Sequence, residues 1–121
     1  MLQYGILNPH ILSLLARVRH TNTLVIADRG FPSWPELETI DISLVDDIPT
    51  VRQVLAAIQG NFVTGAALMA EEFLGENGEE VRDEYARLGA PLDIAFEPHG
   101  EFKRRVPSAV GLSRTADTTQ Y

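Results

Sequence analysis

The sequence predicts an α/β fold: one three-layer α/β/α domain over residues 1–121, with a central mixed or mostly parallel sheet. Three observations predict it. Some segments space their apolar residues as a helix does, while others carry unbroken or alternating apolar runs. The two kinds of segment alternate along the chain. No repeat, low-complexity tract or linker divides it into halves.

Asn8-Pro9 supplies an N-cap and a proline at the first helical position, and Ile11, Leu12, Leu15 and Val18 mark one face of a helix ending near Arg19. After His20-Thr21-Asn22, the run Thr23 to Ala27 reads as a buried strand ending at Asp28. Arg29 to Pro32 must turn, and Ser33-Trp34-Pro35 stays extended because each proline restricts its predecessor. Thr39 to Leu44 alternates in period two, as a half-exposed strand does. Pro49-Thr50 opens a helix carrying Val51, Val54, Leu55 and Ile58, stopped by Gly60. Phe62 to Ala70 is a third strand. Asn77 followed by Glu80 resembles a capping box, with Val81, Tyr85 and Leu88 on one face before Gly89. Leu92 to Phe96 is a strand, Gly100 to Arg105 one or two helical turns, and Ala109 to Leu112 a final short strand.

Composition narrows the function. Lys and Arg total 10 against 17 Asp and Glu, a net charge of -7, which argues against binding a phosphate backbone. At 121 residues the domain buries roughly two-thirds of its unfolded surface, so it needs no disulfide or metal staple. Cysteine is absent, which removes thiol catalysis and Cys-based zinc sites and favours the cytoplasm. The N-terminus lacks a basic stretch followed by an apolar one, so no secretory signal is expected. The longest apolar run, Ala66 to Ala70, is far below the roughly 20 residues that span a bilayer. The expectation is a cytoplasmic protein with neither a membrane nor a nucleic-acid partner.

Ligands in α/β folds sit beyond the carboxyl ends of the strands, and Asp28 lies at such an end. It also reads as an Asx-turn residue capping its own loop. His10, His20 and His99 show no metal-ligand spacing. His20 either capped the preceding helix or carries protons; His99 either starts the following helix or joins a site. Lys103-Arg104-Arg105 reads as a solvated basic face, Trp34 as a loop anchor, and the Glu71 to Glu80 acidic cluster as surface. Histidines and an aspartate near strand ends suit proton transfer on a small polar molecule.

The run from His20 to Pro32 resembles the signature of the D-ribose pyranase and L-fucose mutarotase family. So do Gly5 to Asn8, Ile40 to Leu44, Ile48-Pro49, Ala66 to Glu72, His99 to Lys103 and Ser113 to Tyr121, in order and over nearly the whole chain. The Asp-x-Gly-x-Pro loop and the Ala-Glu-Glu block resemble the ribose branch more than the fucose branch. The resemblance implies an isomerase interconverting pyranose, furanose and anomeric forms of a free aldose, most simply D-ribose, without cofactor or metal. A mutarotase for another aldose such as L-fucose, or a sugar-binding module without turnover, is the alternative. By match His20 is the catalytic acid/base, and Asp28, His99 and Tyr121 hold sugar hydroxyls, with Lys103 and Arg29 accessory. Asp28 either holds sugar or orients His20. The resemblance also implies a ring-shaped homo-oligomer, decameric in the ribose branch, in which one subunit's tail completes a neighbour's pocket. Two positions depart from the family pattern: Arg29 replaces a small residue, and Asp47 replaces a glycine in a turn where aspartate tolerates the left-handed region. Beyond Tyr121 the family pattern adds Ala-Asn and a closing strand, which this sequence does not include.

Overall fold

A computed structural model describes residues 1–89 and 93–119 of the chain. Helix α1 runs Pro9–Arg17, and Asn8 Oδ1 accepts from the His10 and Ile11 backbone N–H groups at 2.9 and 3.0 Å. Strand β1 is Leu24–Ala27 and β2 is Thr39–Asp41. Helix α2, Val51–Gln59, opens with a reciprocal capping box between Thr50 and Gln53. Strand β3, Ala66–Ala70, is followed by α3, Glu72–Glu76, and α4, Glu79–Gly89. Strand β4, Asp93–Glu97, leads into α5, His99–Arg105, a short 3-10 turn and β5, Gly111–Arg114.

The last strand is central. β5 lies between β1 and β2, parallel to both, with Ala27, Arg114 and Asp41 side by side. One face of this sheet packs Leu24 and Ile26 with Ile11, Leu14 and Leu15 of α1 and Val54 and Ile58 of α2. The other face packs Val25, Ala27 and Leu112 against Leu37 and Val106, flanked by Phe31, Trp34 and Phe102. Helices on both faces of parallel strands make the expected three layers. Trp34 anchors its loop as expected, because the segment after β1 must cross β5 to reach β2 and its apolar side chains become the lid.

The expected central sheet is present as two parallel groups. Among the described residues β3 and β4 pair with each other, Ala66 beside Asp93 through Ala70 beside Glu97. Strand lengths also differ from the pattern. β2 ends at Asp41 rather than Leu44 because Asp41 Oδ1 accepts the Ser43 N–H at 2.9 Å, an Asx turn that diverts the backbone. The final strand starts at Gly111, after the 3-10 turn forced around Pro107. Phe73 of α3 meets Tyr85 of α4 edge to face at 4.9 Å, and an Arg52–Glu84 ion pair ties α2 to α4. No described helix is long and apolar enough to cross a membrane.

Gly111 shows how closely α1 sits on the sheet. A Cβ there would lie 2.6 Å from Leu14 Cδ1, and Leu14 is 1% exposed with nowhere to move. Gly111→Ala is expected to destabilise the protein by about 1–3 kcal/mol, the usual cost of overpacking a filled core. Urea unfolding followed by circular dichroism checks it; an unchanged midpoint would mean α1 can slide.

Candidate active site

The carboxyl ends of β1, β5 and β2 place Asp28, Arg114 and Asp41 along one edge. Asp28 Oδ1 accepts the Gly30 N–H at 2.8 Å, so the Asx-turn reading holds. Its Oδ2 has no partner among the described residues, and the half-buried side chain keeps one oxygen to accept from a ligand.

Arg114 is the organising cation at this edge. Its Nε donates to Phe31 O at 3.0 Å, Nη2 to Ser33 Oγ at 2.7 Å and Nη1 to Asp41 Oδ2 at 3.1 Å, with 17% of the side chain exposed. One guanidinium thus holds the Asp28 loop against the end of β2. Hydrogen bonds from Ser43, with Arg114 adding to them, keep the Asp41 carboxyl below its ordinary value.

Behind this edge runs the segment that continues β5. Thr115 donates its N–H and its hydroxyl to Ala27 O, both at 2.8 Å. Asp117 is 2% exposed, and its Oδ2 and Oδ1 accept the Val51 and Thr119 N–H groups at 2.8 Å each. Arg29 N–H donates to Asp117 O at 3.2 Å. The Asp28 loop, the start of α2 and the tail therefore share one buried carboxylate residue.

His20 lies elsewhere. It is exposed on the turn before β1, where Asn22 Oδ1 accepts the Arg19 N–H at 2.8 Å and Asn22 N–H donates to Arg19 O at 3.1 Å. Its neighbour Thr21, a β-branched residue, sits at φ 69, a strained conformation of a kind that gathers at functional sites. His20 precedes β1 and Asp28 follows it, so four strand residues, about 13 Å at the usual rise, stand between them. Within one chain Asp28 does not orient His20.

His99 opens α5 after β4. Both carboxylate oxygens of Glu72 accept its backbone N–H, at 3.1 and 2.9 Å, and its ring stacks over Phe102 at 6.4 Å. Phe102 packs beside Phe31 and Trp34, so the His99 helix and the Asp28 loop share a hydrophobic cluster. Lys103 is half-buried and one turn from His99, on the same side of α5. Arg104 and Arg105 are not merely solvated: they pair with Glu101 at 2.6 Å and Glu97 at 2.7 Å. Arg29 turns from the Asp28 edge to pair with Asp46 at 2.5 Å. Tyr121 lies outside the described residues. Among those described, no three His, Asp or Glu side chains converge as metal ligands.

A family model described as the RbsD / FucU transport protein family matches residues 1–121. The chain belongs to the RbsD / FucU family. D-ribose pyranases of Geobacillus kaustophilus and Halalkalibacterium halodurans are 37% and 35% identical to it, over all of this chain and 88% and 92% of theirs. The structure of Bacillus subtilis RbsD complexed with D-ribose superposes with a TM-score of 0.89 at 30% identity, covering 100% of this chain and 92% of that one. A Streptococcus pneumoniae fucose mutarotase in complex with L-fucose has a TM-score of 0.74 at 20% identity over 94% of this chain and 86% of its own, which shows the fold alone.

The hydrogen bonds at this edge put weight on three residues with no local signature. Arg114, Asp117 and Glu72 form no recognisable motif with their partners, since Arg114 is 83 residues from Phe31 and Asp117 is 66 from Val51. Glu72 and Arg114 each closely follow an apolar stretch, Ala66 to Ala70 and Val110 to Leu112, whereas Asp117 follows none.

Proposed function

We infer that this chain is an isomerase interconverting the pyranose and furanose forms of free D-ribose. The observation that carries this is the full-length likeness, at 30% identity and a TM-score of 0.89, to an RbsD complexed with D-ribose. The D-ribose pyranases at 35–37% identity support the same substrate.

Ring opening breaks the bond between the anomeric carbon and the ring oxygen. A proton goes to that oxygen, and the anomeric hydroxyl loses one as its C=O forms. Closure through the hydroxyl on C4 rather than C5 runs the same transfers in reverse and gives the furanose. Protons and electrons balance without a cofactor. General acid-base catalysis contributes about 10²–10⁴-fold, enough for a reaction that also proceeds unaided.

In this reading His20 moves the protons, and Asp28, His99 and Tyr121 hold sugar hydroxyls, with Lys103 beside His99. The separation of His20 from Asp28 along β1 favours sites built from two copies of the chain in a ring-shaped homo-oligomer, a decamer by family likeness. A surface of suitable character is available: Leu44, Val45 and Ile48 are 78%, 57% and 54% exposed beside the apolar groove between α1 and α2. The acidic, cysteine-free chain suits the cytoplasm.

Magnetisation-exchange NMR on a panel of aldoses tests the assignment. Accelerated exchange between ribose ring forms is expected. Acceleration confined to fucose reassigns the substrate, and ribose binding without acceleration reduces the protein to a sugar-binding module.

A further inference from the structure

We propose that Arg29, Asp46 and Asp47 form a clasp that joins the Asp28 loop to the tail and so sets the affinity of the sugar site. The proposal rests on the ribose reading above, because the loop it fastens carries Asp28, which that reading places at the sugar.

The turn between β2 and α2 carries two consecutive aspartates that face different loops. Asp46 takes the Arg29 guanidinium, which follows Asp28 directly. Asp47 takes the tail: Oδ1 accepts Thr118 N–H at 2.8 Å and Thr118 Oγ1 at 2.7 Å, and Oδ2 lies 2.9 Å from the same hydroxyl. The backbone completes the link, with Asp47 N–H donating to Ala116 O at 2.8 Å and Ala116 N–H to Pro49 O at 2.9 Å.

Asp47 holds this position at φ 61, where glycine would fit the backbone but supply no carboxylate. Arg29 and Asp47 lie in one charge cluster, with Arg29 acting on both aspartates. Arg29 and Asp46 are 54% and 74% exposed, so their pairing adds little to folding. Its effect is to hold one loop in register with another. Asp46 draws the Arg29 side chain away from Asp28.

Two variants separate the clasp from ordinary folding effects. Asp47→Gly keeps the left-handed backbone and removes the carboxylate, while Asp47→Asn keeps an acceptor for Thr118. Hydrogen exchange of the peptide covering 115–121, read by mass spectrometry on the intact assembly, is expected to quicken about tenfold in Asp47→Gly and to return in Asp47→Asn. The ribose concentration giving half-maximal ring exchange is expected to rise about 3–10-fold in Asp47→Gly, with the maximal rate within about twofold of wild type. Arg29→Ser and Asp46→Asn are expected to give smaller rises that do not add in the double variant. Unchanged peptide exchange in Asp47→Gly overturns the clasp, as does a lower maximal rate with unaltered half-saturation. Quickened peptide exchange in a protein whose wild type does not accelerate ribose at all supports the clasp and overturns the ribose reading instead.

Discussion

His20→Ala is expected to lower catalysed pyranose–furanose exchange by about 10²–10⁴-fold, to near the uncatalysed rate. That corresponds to roughly 3–5 kcal/mol of barrier. Ribose binding by calorimetry should change only a few-fold, because the groups proposed to hold hydroxyls lie on other elements. The structural basis is the exposed turn at 19–22, where Asn22 bridges Arg19 and Thr21 accepts φ 69 to present the histidine. If exchange persists in His20→Ala, His99 becomes the proton carrier, since it follows β4 at that strand's carboxyl end.

The same separation of His20 from Asp28 makes a sharper test possible. If each pocket draws His20 and Asp28 from different copies, then His20→Ala and Asp28→Asn, each inactive alone, should complement when co-assembled. In an equal random mixture about a quarter of the pockets would carry both native residues. Absence of any recovered exchange in verified mixed assemblies would place both residues in one copy's pocket, against the geometry of β1.

Much of the fold is legible in the sequence because its signals are local. Asn8-Pro9 caps α1, Thr50 with Gln53 caps α2, and the apolar run at 24–27 is a strand wherever it lands. The place of Asp28 at the end of β1 was legible for the same reason: the end of a buried strand can be read from the strand itself. The arrangement of the strands was not legible. Nothing in Gly111 to Arg114 announces that the last strand enters between the first two, and its alternation is masked because both faces are buried. α3 was missed because Glu-Phe-Leu-Gly-Glu is a single turn and a half with a glycine inside, held by Phe73 packing on Tyr85. The acidic cluster misled for a related reason. Glu72 has the composition of a surface residue, and only the pairing of β3 with β4 brings His99 to it.

Asp117→Asn is the substitution expected to cost most outside the apolar core. The carboxylate is 2% exposed and accepts one backbone N–H with each oxygen. Asparagine keeps the shape but replaces one acceptor with a donor, which must face either Val51 N–H or Thr119 N–H. It also removes a negative charge from the start of α2, where the helix dipole favours one. Two charge-assisted hydrogen bonds weakened or lost predict about 2–4 kcal/mol of destabilisation, read from the urea midpoint. Tyr85 offers an independent readout of the same charge. Burial, and then the Asp117 carboxylate, raise its phenol above the ordinary value of 10.0. A raised phenol stays protonated in the folded state while the unfolded one ionises, so its stabilising share is present below pH 10 and is lost as pH rises toward the folded value. Removing the Asp117 charge lowers the phenol toward 10.0 and makes that alkaline loss shallower, although the protein starts from lower stability. Ultraviolet titration of the folded variant checks the first effect, and urea midpoints at several alkaline pH values check the second. If both midpoint and phenol stay at their wild-type values, Asp117 is not the group that fastens α2 to the tail, and the neighbouring Thr115 hydroxyl bond to Ala27 must hold the segment by itself.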